Sequence, residues 1–390
     1  MLSSFRSSSA LLRPTLLTSL SRHPAAPLNR LHSTHPSTTF EPLLPSNFTG
    51  FSNLPPTNSF TLPPNATLGT LPFPKSLSPS SALEFKHCPQ SYLLRYILNY
   101  KDPQTPAMLK GTIIHTALEK LYRDTRRPNR TRSKLHNLLR ESWSEYKTSN
   151  HSTFLEMFGS NVQQEIEWGR SALGLLDNYL ELEDPKNLPS DPVGLEKWVR
   201  SNLTSSNSTF IVRGIIDRLD LVQSDSCINT RITDYKSGKA PNLKYSYSMN
   251  KKIREESFWQ LKVYALLHKL QNQKSAEKRY EDQIISDDGN STKFSSEGIG
   301  VRYLRLIYLN NVNGEGEIME YDLGESEEER DEVLEKTKEE LVETWESIME
   351  LIEEGDVKHF KHCERKFCGC HKARSVFVDG TLSNEIVERK

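Results

Sequence analysis

The sequence predicts an α/β domain that begins near Ser76, after a long polar N-terminal region. Three observations support this class: segments with apolar residues at helical spacing, β-branched runs bounded by polar turns, and the alternation of the two along the chain. With 390 residues, the chain is long enough to bury the core of one large domain or two ordinary ones. No apolar run approaches the roughly 20 residues that span a bilayer, so we expect no membrane partner.

Residues 1–40 have the composition of an organellar transit peptide, with four arginines, many Ser, Thr and Leu residues, and no acidic residue. A disordered tail is the alternative, but such a tail has no reason to exclude acids so completely. We therefore predict a mitochondrial location, with the plastid as the alternative. Residues 41–75 are rich in Pro, Ser, Thr and Asn and are predicted to be a disordered linker. The folded domain is then expected over 76–378, with a C-terminal tail over 379–390.

Helices are predicted in four parts of the domain and in its acidic C-terminal segment. Pro89 suits the first position of a helix over 89–100, and apolar periodicity indicates helices over 107–122, 161–182 and 258–270. Residues 325–356 contain 15 acids and 3 bases, with apolar residues at helical spacing. This segment is therefore predicted to be an amphipathic helix with a solvated outer face. The rest of the chain after residue 40 is basic, which permits a polyanionic ligand.

Four strands are predicted from β-rich runs. Residues 210–222 and 231–237 are separated by a polar turn over 223–230, which predicts a hairpin. Two further strands are expected over 299–311 and 317–323. The polar stretch 271–298 between them and the preceding helix is predicted to be a loop insertion.

The hairpin carries the residues that suggest chemistry. Asp217 lies in its first strand, and Asp234 and Lys236 lie at the end of the second. Residues two apart share one face of a strand, so Asp234 and Lys236 project the same way, and Asp217 can lie across from them. Two carboxylates and a lysine suit hydrolysis of a phosphodiester: carboxylates hold Mg²⁺, which activates a bound water, and lysine orients that water. An ordinary cross-strand ion pair is the structural alternative, because short motifs often occur without function.

Two predicted helices add candidate residues to this site. Gly111 and His115 are one helical turn apart, so the histidine could bind a metal while the glycine lets another chain approach closely. Gln260 and Tyr264 have the same spacing and could place an amide and a phenol beside a phosphate. A buried structural histidine and a helix with one mixed face are the corresponding alternatives.

Five segments stand in an order that is specific when they are taken together. They are "SLSPSSALEFKHCPQSYLLRY", "KGTIIHTALE", "VRGIIDRLDLV", "ITDYKSGKAP" and "QLKVYALL". This order resembles the RecB-like branch of the PD-(D/E)XK nucleases, including bacterial stand-alone exonucleases, over most of residues 76–378. The resemblance implies an α/β restriction-endonuclease-like core, in which helices flank a mixed central sheet.

The resemblance also implies roles for the candidate site residues. Carried over residue by residue, it implies that His115, Asp217 and Asp234 bind the catalytic metal, Mg²⁺ or Mn²⁺. It further implies that Lys236 is the catalytic lysine. The end of the second hairpin strand would thus hold a metal ligand and a lysine around one scissile phosphate.

Four more residues are assigned places in or beside the site, and Gln260 and Tyr264 are predicted among its catalytic residues together with Lys236, Asp217 and Asp234. Gln260 and Tyr264 match the family's supporting helix near the site. Glu196 matches a family glutamate before the first strand and is a possible additional acid. Tyr235, between two site residues, is expected to point to the opposite, packed face of the strand.

Four cysteines are candidate ligands of a second metal site: Cys88, Cys363, Cys368 and Cys370. Many members of the resembled family hold a [4Fe–4S] cluster with one early cysteine and three in a Cys-x2-Cys-x5-Cys run. Here the spacing departs, because Val376 stands where the last cysteine is expected. Either Cys368 has taken over as a ligand, or the thiols are free, or three cysteines and His371 bind zinc. We expect a metal, with a cluster ahead of zinc, and expect Cys227 in the hairpin turn to be unrelated.

The predicted function is that of a metal-dependent DNA exonuclease that acts on single strands or DNA ends in organellar DNA repair, recombination or turnover. No helicase motif is visible, so a helicase partner would act in trans. The main alternative is a catalytically inactive nucleic-acid-binding protein of the same fold. The intact set of His115, Asp217, Asp234 and Lys236 argues against it. A cysteine-rich redox protein would explain the cysteines but not the carboxylates and the lysine.

Overall fold

The computed structural model describes residues 71–99, 104–224, 227–285, 300–365, 368 and 370, with only the backbone at 224, 227 and 275–285. All of these residues belong to one unit, Gly50–Lys390. The predicted transit peptide, residues 41–70 of the predicted linker, and the predicted C-terminal tail lie outside the described residues. No helix in the described part of the chain has both the length and the apolar character needed to cross a membrane.

A five-stranded mixed sheet forms the centre of the domain, with the strands side by side in chain order. The strands are β1 Gly194–Thr204, β2 Thr209–Ser224, β3 Cys227–Lys239, β4 Val301–Asn310 and β5 Glu317–Asp322. All neighbours are antiparallel except β3 and β4, which are parallel. A parallel pair needs a long crossover connection, and a helix supplies it here. The predicted mixed sheet with flanking helices is therefore confirmed.

The strand predictions are correct in kind but not in number or length. β2 and β3 form the predicted antiparallel hairpin, and β4 and β5 are both present. A fifth strand, β1, was not predicted; it precedes the hairpin, and Glu196, which was expected before the first strand, lies within it. The predicted turn is too long, since β2 continues to Ser224 and β3 already begins at Cys227. Polar residues in these extensions resembled a turn in sequence, but backbone pairing continues through them.

Eight α-helices of the described chain flank the sheet. They are α1 Pro79–His87, α2 Pro89–Tyr92, α3 Pro106–Asp124, α4 Arg132–Ser149, α5 His151–Phe158, α6 Val162–Leu182, α7 Tyr247–Ile285 and α8 Glu327–Glu354. Their ends follow from local sequence signals. Ser326 and Glu329 form a capping box at the start of α8, and Gly355 adopts a left-handed conformation with φ 71° at its end.

Three helix predictions need correction. The helix at Pro89 begins as predicted, but it continues as a π-helical segment over Leu93–Ile97. Helices α1, α4 and α5 were not predicted. The predicted loop over 271–298 is helical as far as Ile285, where α7 ends. Its Gln, Lys, Ala and Glu residues are strong helix formers, and a polar surface helix lacks the apolar periodicity that identifies buried ones.

Two hydrophobic cores pack the helices against the sheet. One contains side chains of α1, α2, α7 and α8, and the other contains side chains of α3, α4, α5 and α6. The predicted apolar face of the acidic helix is confirmed, since all five of its residues are buried: Leu334, Leu341, Trp345, Ile348 and Ile352. The sheet is therefore covered on both faces, and the candidate site lies where β2 and β3 separate.

Candidate active site

The two aspartates of the hairpin lie at the point where the strands separate. The antiparallel ladder between β2 and β3 ends at the pair Arg218–Thr233, so Asp217 and Asp234 are the next residues on each strand. Beyond that pair, Asp217 Oδ2 accepts a hydrogen bond of 2.9 Å from the backbone N–H of Tyr235. The Asp217 carboxylate thus accepts the hydrogen bond that a backbone carbonyl of β2 would accept if the ladder continued. The structure brings the two aspartates together, as the sequence predicted.

His115 on α3 faces Asp217 in a form that can bind a metal. Gly111 lets α3 approach β3, because a Cβ at that position would lie 3.0 Å from Ser237 Oγ. His115 Nε2 lies 2.8 Å from the backbone carbonyl oxygen of Tyr235. A carbonyl only accepts, so Nε2 carries the hydrogen and the neutral ring has its lone pair on Nδ1. This Nδ1 lies 3.3 Å from Asp217 Oδ2.

Glu196 joins this pair from β1. The pairing of its neighbours with Ile216 and Arg218 places Glu196 opposite Asp217. Its φ of 45° lies in the left-handed region, which a non-glycine residue occupies only under constraint. One ligand atom from each of His115, Glu196 and Asp217 lies within 4.8 Å of the others.

The electrostatics of this group favour a cation. Burial, followed by the charge of Asp234, raises the pKa of Asp217 to about 7. Burial also raises the pKa of Glu196. A histidine lone pair and two crowded carboxylates therefore converge on one place, and hard divalent cations bind such oxygen-rich donor sets. The residues present fit a divalent metal ion.

The predicted lysine is held by Asp234, next to that group. Lys236 Nζ lies 2.8 Å from Asp234 Oδ2, although this buried oxygen accepts no well-directed hydrogen bond from a described residue. Lys236 donates a bond of 3.2 Å to Gln260 Oε1, and Gln260 donates one of 2.7 Å to the Tyr264 hydroxyl. Burial lowers the pKa of Lys236, but the charges of Asp234 and Asp217 outweigh it and raise that pKa. Lys236 is therefore a cation at neutral pH.

Gly214 on β2 makes room for Tyr264, the last residue in this series of hydrogen bonds. A Cβ at Gly214 would overlap Cε1 of Tyr264 and lie 3.1 Å from its Cδ1. Tyr264 consequently packs directly on the sheet, and burial raises its pKa to about 12. Gly214 was not identified from the sequence, where nothing distinguishes it from other strand glycines.

A buried ionic network supports the same strands from the opposite face. Arg218 is fully buried and binds Glu183 through two nitrogens at 2.6 and 2.9 Å. Arg218 also donates to the Tyr235 hydroxyl at 2.7 Å, so the prediction that Tyr235 points to the packed face is confirmed. Arg218 follows Asp217 in sequence, and Tyr235 lies between Asp234 and Lys236. The network therefore fixes the backbone that carries the candidate site, and the sequence did not reveal it.

The four candidate cysteines form a second group, to which the early and the late segments of the domain both contribute. Sulfur atoms of Cys88, Cys363, Cys368 and Cys370 all lie within 4.8 Å of one another. The N–H of Gln90 donates to the carbonyl of Lys361 at 3.2 Å, which ties the early segment to the late one. Cys368 thus belongs to the group despite its unusual spacing. His371 lies outside the described residues, and Cys227 begins β3.

Comparisons with known proteins bear on the fold and its chemistry. A family model described as the PD-(D/E)XK nuclease superfamily matches residues 76–373. A solved structure titled "Crystal structure of SSO0001" is 10% identical, with a TM-score of 0.25, and the alignment covers 70% of this chain and 78% of that chain. A likeness this weak carries no argument. No curated protein matches the sequence significantly.

Proposed function

The chain belongs to the PD-(D/E)XK nuclease superfamily, and on that premise we propose that it is a metal-dependent DNA exonuclease acting on single strands or DNA ends. One observation carries this proposal. A possible metal-binding group of His115, Glu196 and Asp217 lies next to a charged lysine held by Asp234. An ion pair between Lys236 and Asp234 that only stabilised the fold would need neither a histidine with a free Nδ1 nor two further carboxylates beside it.

His115, Glu196 and Asp217 would hold the divalent cation, Mg²⁺ or Mn²⁺, and the family resemblance adds Asp234 to this set. When bound, such a cation lowers the pKa of a water ligand and offsets the negative charge of the phosphate. Asp217 keeps its position through the bond from the Tyr235 N–H. The backbone carbonyl of Tyr235 keeps His115 in the tautomer with a free Nδ1.

Lys236 stabilises the negative charge that builds on the phosphate and orients the attacking water. Gln260 accepts one of its N–H bonds and so directs the ammonium group, while Tyr264 holds Gln260. Preorganised charges of this kind act without reorientation during the reaction. Gln260 and Tyr264 are therefore positioning residues in this proposal.

Cleavage of end-labelled single-stranded DNA tests the function. The full chain, purified without oxygen, is incubated with Mg²⁺ or Mn²⁺ beside Lys236→Ala and the surface control Lys338→Ala. We expect metal-dependent degradation that falls about 100-fold or more in Lys236→Ala and is unchanged in the control. The product ladders from 5′- and 3′-labelled strands give the polarity. A folded protein that binds DNA without cutting it would instead support the inactive nucleic-acid-binding alternative.

The cysteine site is proposed to hold a [4Fe–4S] cluster that joins the two ends of the domain, as the family resemblance implies. Zinc is the second candidate, since the sulfur separations within 4.8 Å are near the roughly 3.8 Å edge of a tetrahedron with 2.3 Å zinc–sulfur bonds. Iron, sulfide and zinc contents of the anaerobically purified chain, with its visible absorption, decide between them. Absence of both metals would indicate that the thiols are free.

The cellular setting is proposed from the N-terminal composition. We place the protein in the mitochondrion, with the plastid as the alternative, in repair, recombination or turnover of organellar DNA, with a helicase acting in trans. A fluorescent fusion to residues 1–40 tests the location. Cytosolic fluorescence would contradict it.

A further inference from the structure

The stretch 235–254, which runs from the end of β3 through the connecting segment into α7, is basic and contains no acid. Residues 235–254 include six Lys or Arg residues and no Asp or Glu. Candidate site residues lie at both sides of this stretch, with Lys236 at its start on β3 and Gln260 beyond its end on α7. A polyanion that reaches the site can therefore contact this stretch at the same time.

Two aromatic rings in this stretch are unusually exposed. Tyr247 is 85% exposed and Tyr245 is 58% exposed. Lys244 and Lys251 are also exposed and form no ion pair within the described chain. Aromatic faces interleaved with lysines are typical of surfaces that bind single-stranded nucleic acid, where rings stack on bases and ammonium groups contact phosphates.

Hydrogen bonds within this stretch order the backbone that carries these side chains. Asn250 accepts from the Tyr245 N–H at 3.2 Å and donates to the carbonyls of Leu243 and Tyr245 at 2.8 and 3.1 Å. Asn242 accepts from the Lys244 N–H at 3.0 Å. A loop ordered in this way loses less conformational entropy when it binds a ligand.

We infer that the surface formed by Lys244, Tyr245, Tyr247 and Lys251, here the tyrosine surface, binds the unpaired bases of single-stranded DNA. The inference rests on the proposed function, because it assigns the path of that substrate. Tyr247 and Gln260 are thirteen residues apart on α7, which corresponds to about 20 Å along a helix. The tyrosine surface therefore contacts nucleotides several positions from the scissile phosphate. Paired bases cannot stack on these rings, so a duplex gains only the lysine contacts.

Binding without cleavage tests the inference. Fluorescence anisotropy in buffer without divalent ions measures the Kd of the full chain for a 20-nucleotide oligo(dT) and for a duplex of the same length. Exchanging both tyrosines for Ala is expected to weaken oligo(dT) binding by roughly 5- to 100-fold per stacked base and to leave duplex binding unchanged. The matched Tyr→Phe exchanges keep the rings and should retain the wild-type Kd. Lys244→Gln with Lys251→Gln should reduce the salt dependence, with the slope of log K against log salt falling by about 1.4.

Each outcome separates this inference from the proposed function. An unchanged Kd for oligo(dT) in the Tyr→Ala variant, or an equal loss for the duplex, overturns the tyrosine surface even when wild-type chain cleaves DNA. Tyrosine-dependent binding by a chain that cleaves nothing supports the surface and contradicts the nuclease. Circular dichroism and thermal melts of the variants should match wild type, because both rings are on the surface.

Discussion

Replacing Glu183 with Gln removes one of the two carboxylates that pair with Arg218 in the interior, the other being that of Asp220. Burial opposes ionisation of Glu183, but the hydrogen bonds and charge of Arg218 prevail, and the pKa of Glu183 falls from 4.5 to about 2. At about 1.4 kcal/mol per pKa unit, this shift corresponds to about 3 kcal/mol of stability at neutral pH. Asp220 still pairs with Arg218 in the variant, so the arginine keeps one counter-charge and the loss is that of the Glu183 charge alone. We therefore expect Glu183→Gln to be less stable than wild type by about 3 kcal/mol at pH 7.

The pH dependence of this difference is the sharper test. The folded-state pKa of Glu183 is depressed, so its contribution is fully present above about pH 4.5 and is lost as the pH falls toward about 2. The difference in unfolding free energy between wild type and Glu183→Gln should accordingly narrow over that interval. It should stay constant between pH 5 and pH 7.

Urea denaturation followed by tryptophan fluorescence at pH 7, 4.5 and 3 measures the difference. Glu141→Gln is the matched control, because Glu141 is exposed and forms no ion pair within the described residues. The control should stay within about 0.5 kcal/mol of wild type at pH 7. A Glu183→Gln difference below about 1 kcal/mol at pH 7, or one that is unchanged at pH 3, would refute this account of the network.

Three further predictions concern the candidate sites. Gly214→Ala should cost about 1–3 kcal/mol in unfolding free energy and lower kcat, because the new methyl group displaces Tyr264; wild-type stability and kcat would contradict the packing argument. His115→Gln should weaken Mn²⁺ binding by about tenfold or more in calorimetric titration, since it removes a ligand atom and the bond to the Tyr235 carbonyl; an unchanged affinity would exclude the histidine from the metal site. Cys370→Ser should lower the iron or zinc content per chain and the Tm together, because bound metal stabilises the folded state; full metal content would remove Cys370 from the ligand set.

Much of the fold and part of the candidate site could be predicted because they depend on local periodicity. Alternation along a strand predicted that Asp234 and Lys236 share a face while Tyr235 points to the packed side, and the structure has this arrangement. Helical spacing predicted that Gly111 and His115 share one face of a helix. In the structure, that face of α3 lies against β3. These relations are set by backbone geometry over a few residues.

Other features could not be predicted, because they depend on contacts between distant segments. Strand β1 was not predicted, so Glu196 could be named only from the family resemblance, and the pairing of β1 with β2 is what brings it opposite Asp217. Arg218 and Glu183 are 35 residues apart, and each alone has the pattern of a surface charge. Their pairing becomes favourable only when the surrounding core excludes water.

The sequence by itself determined the α/β class, the hairpin and the order of the nuclease-like segments, since propensity and periodicity act over one or two turns or a few strand residues. Only the tertiary structure decided which carboxylates meet His115, that Cys368 joins the other cysteines, and that Tyr264 rests on Gly214. The physical reason is that close packing and the exclusion of water operate between neighbours in space, whatever their separation along the chain.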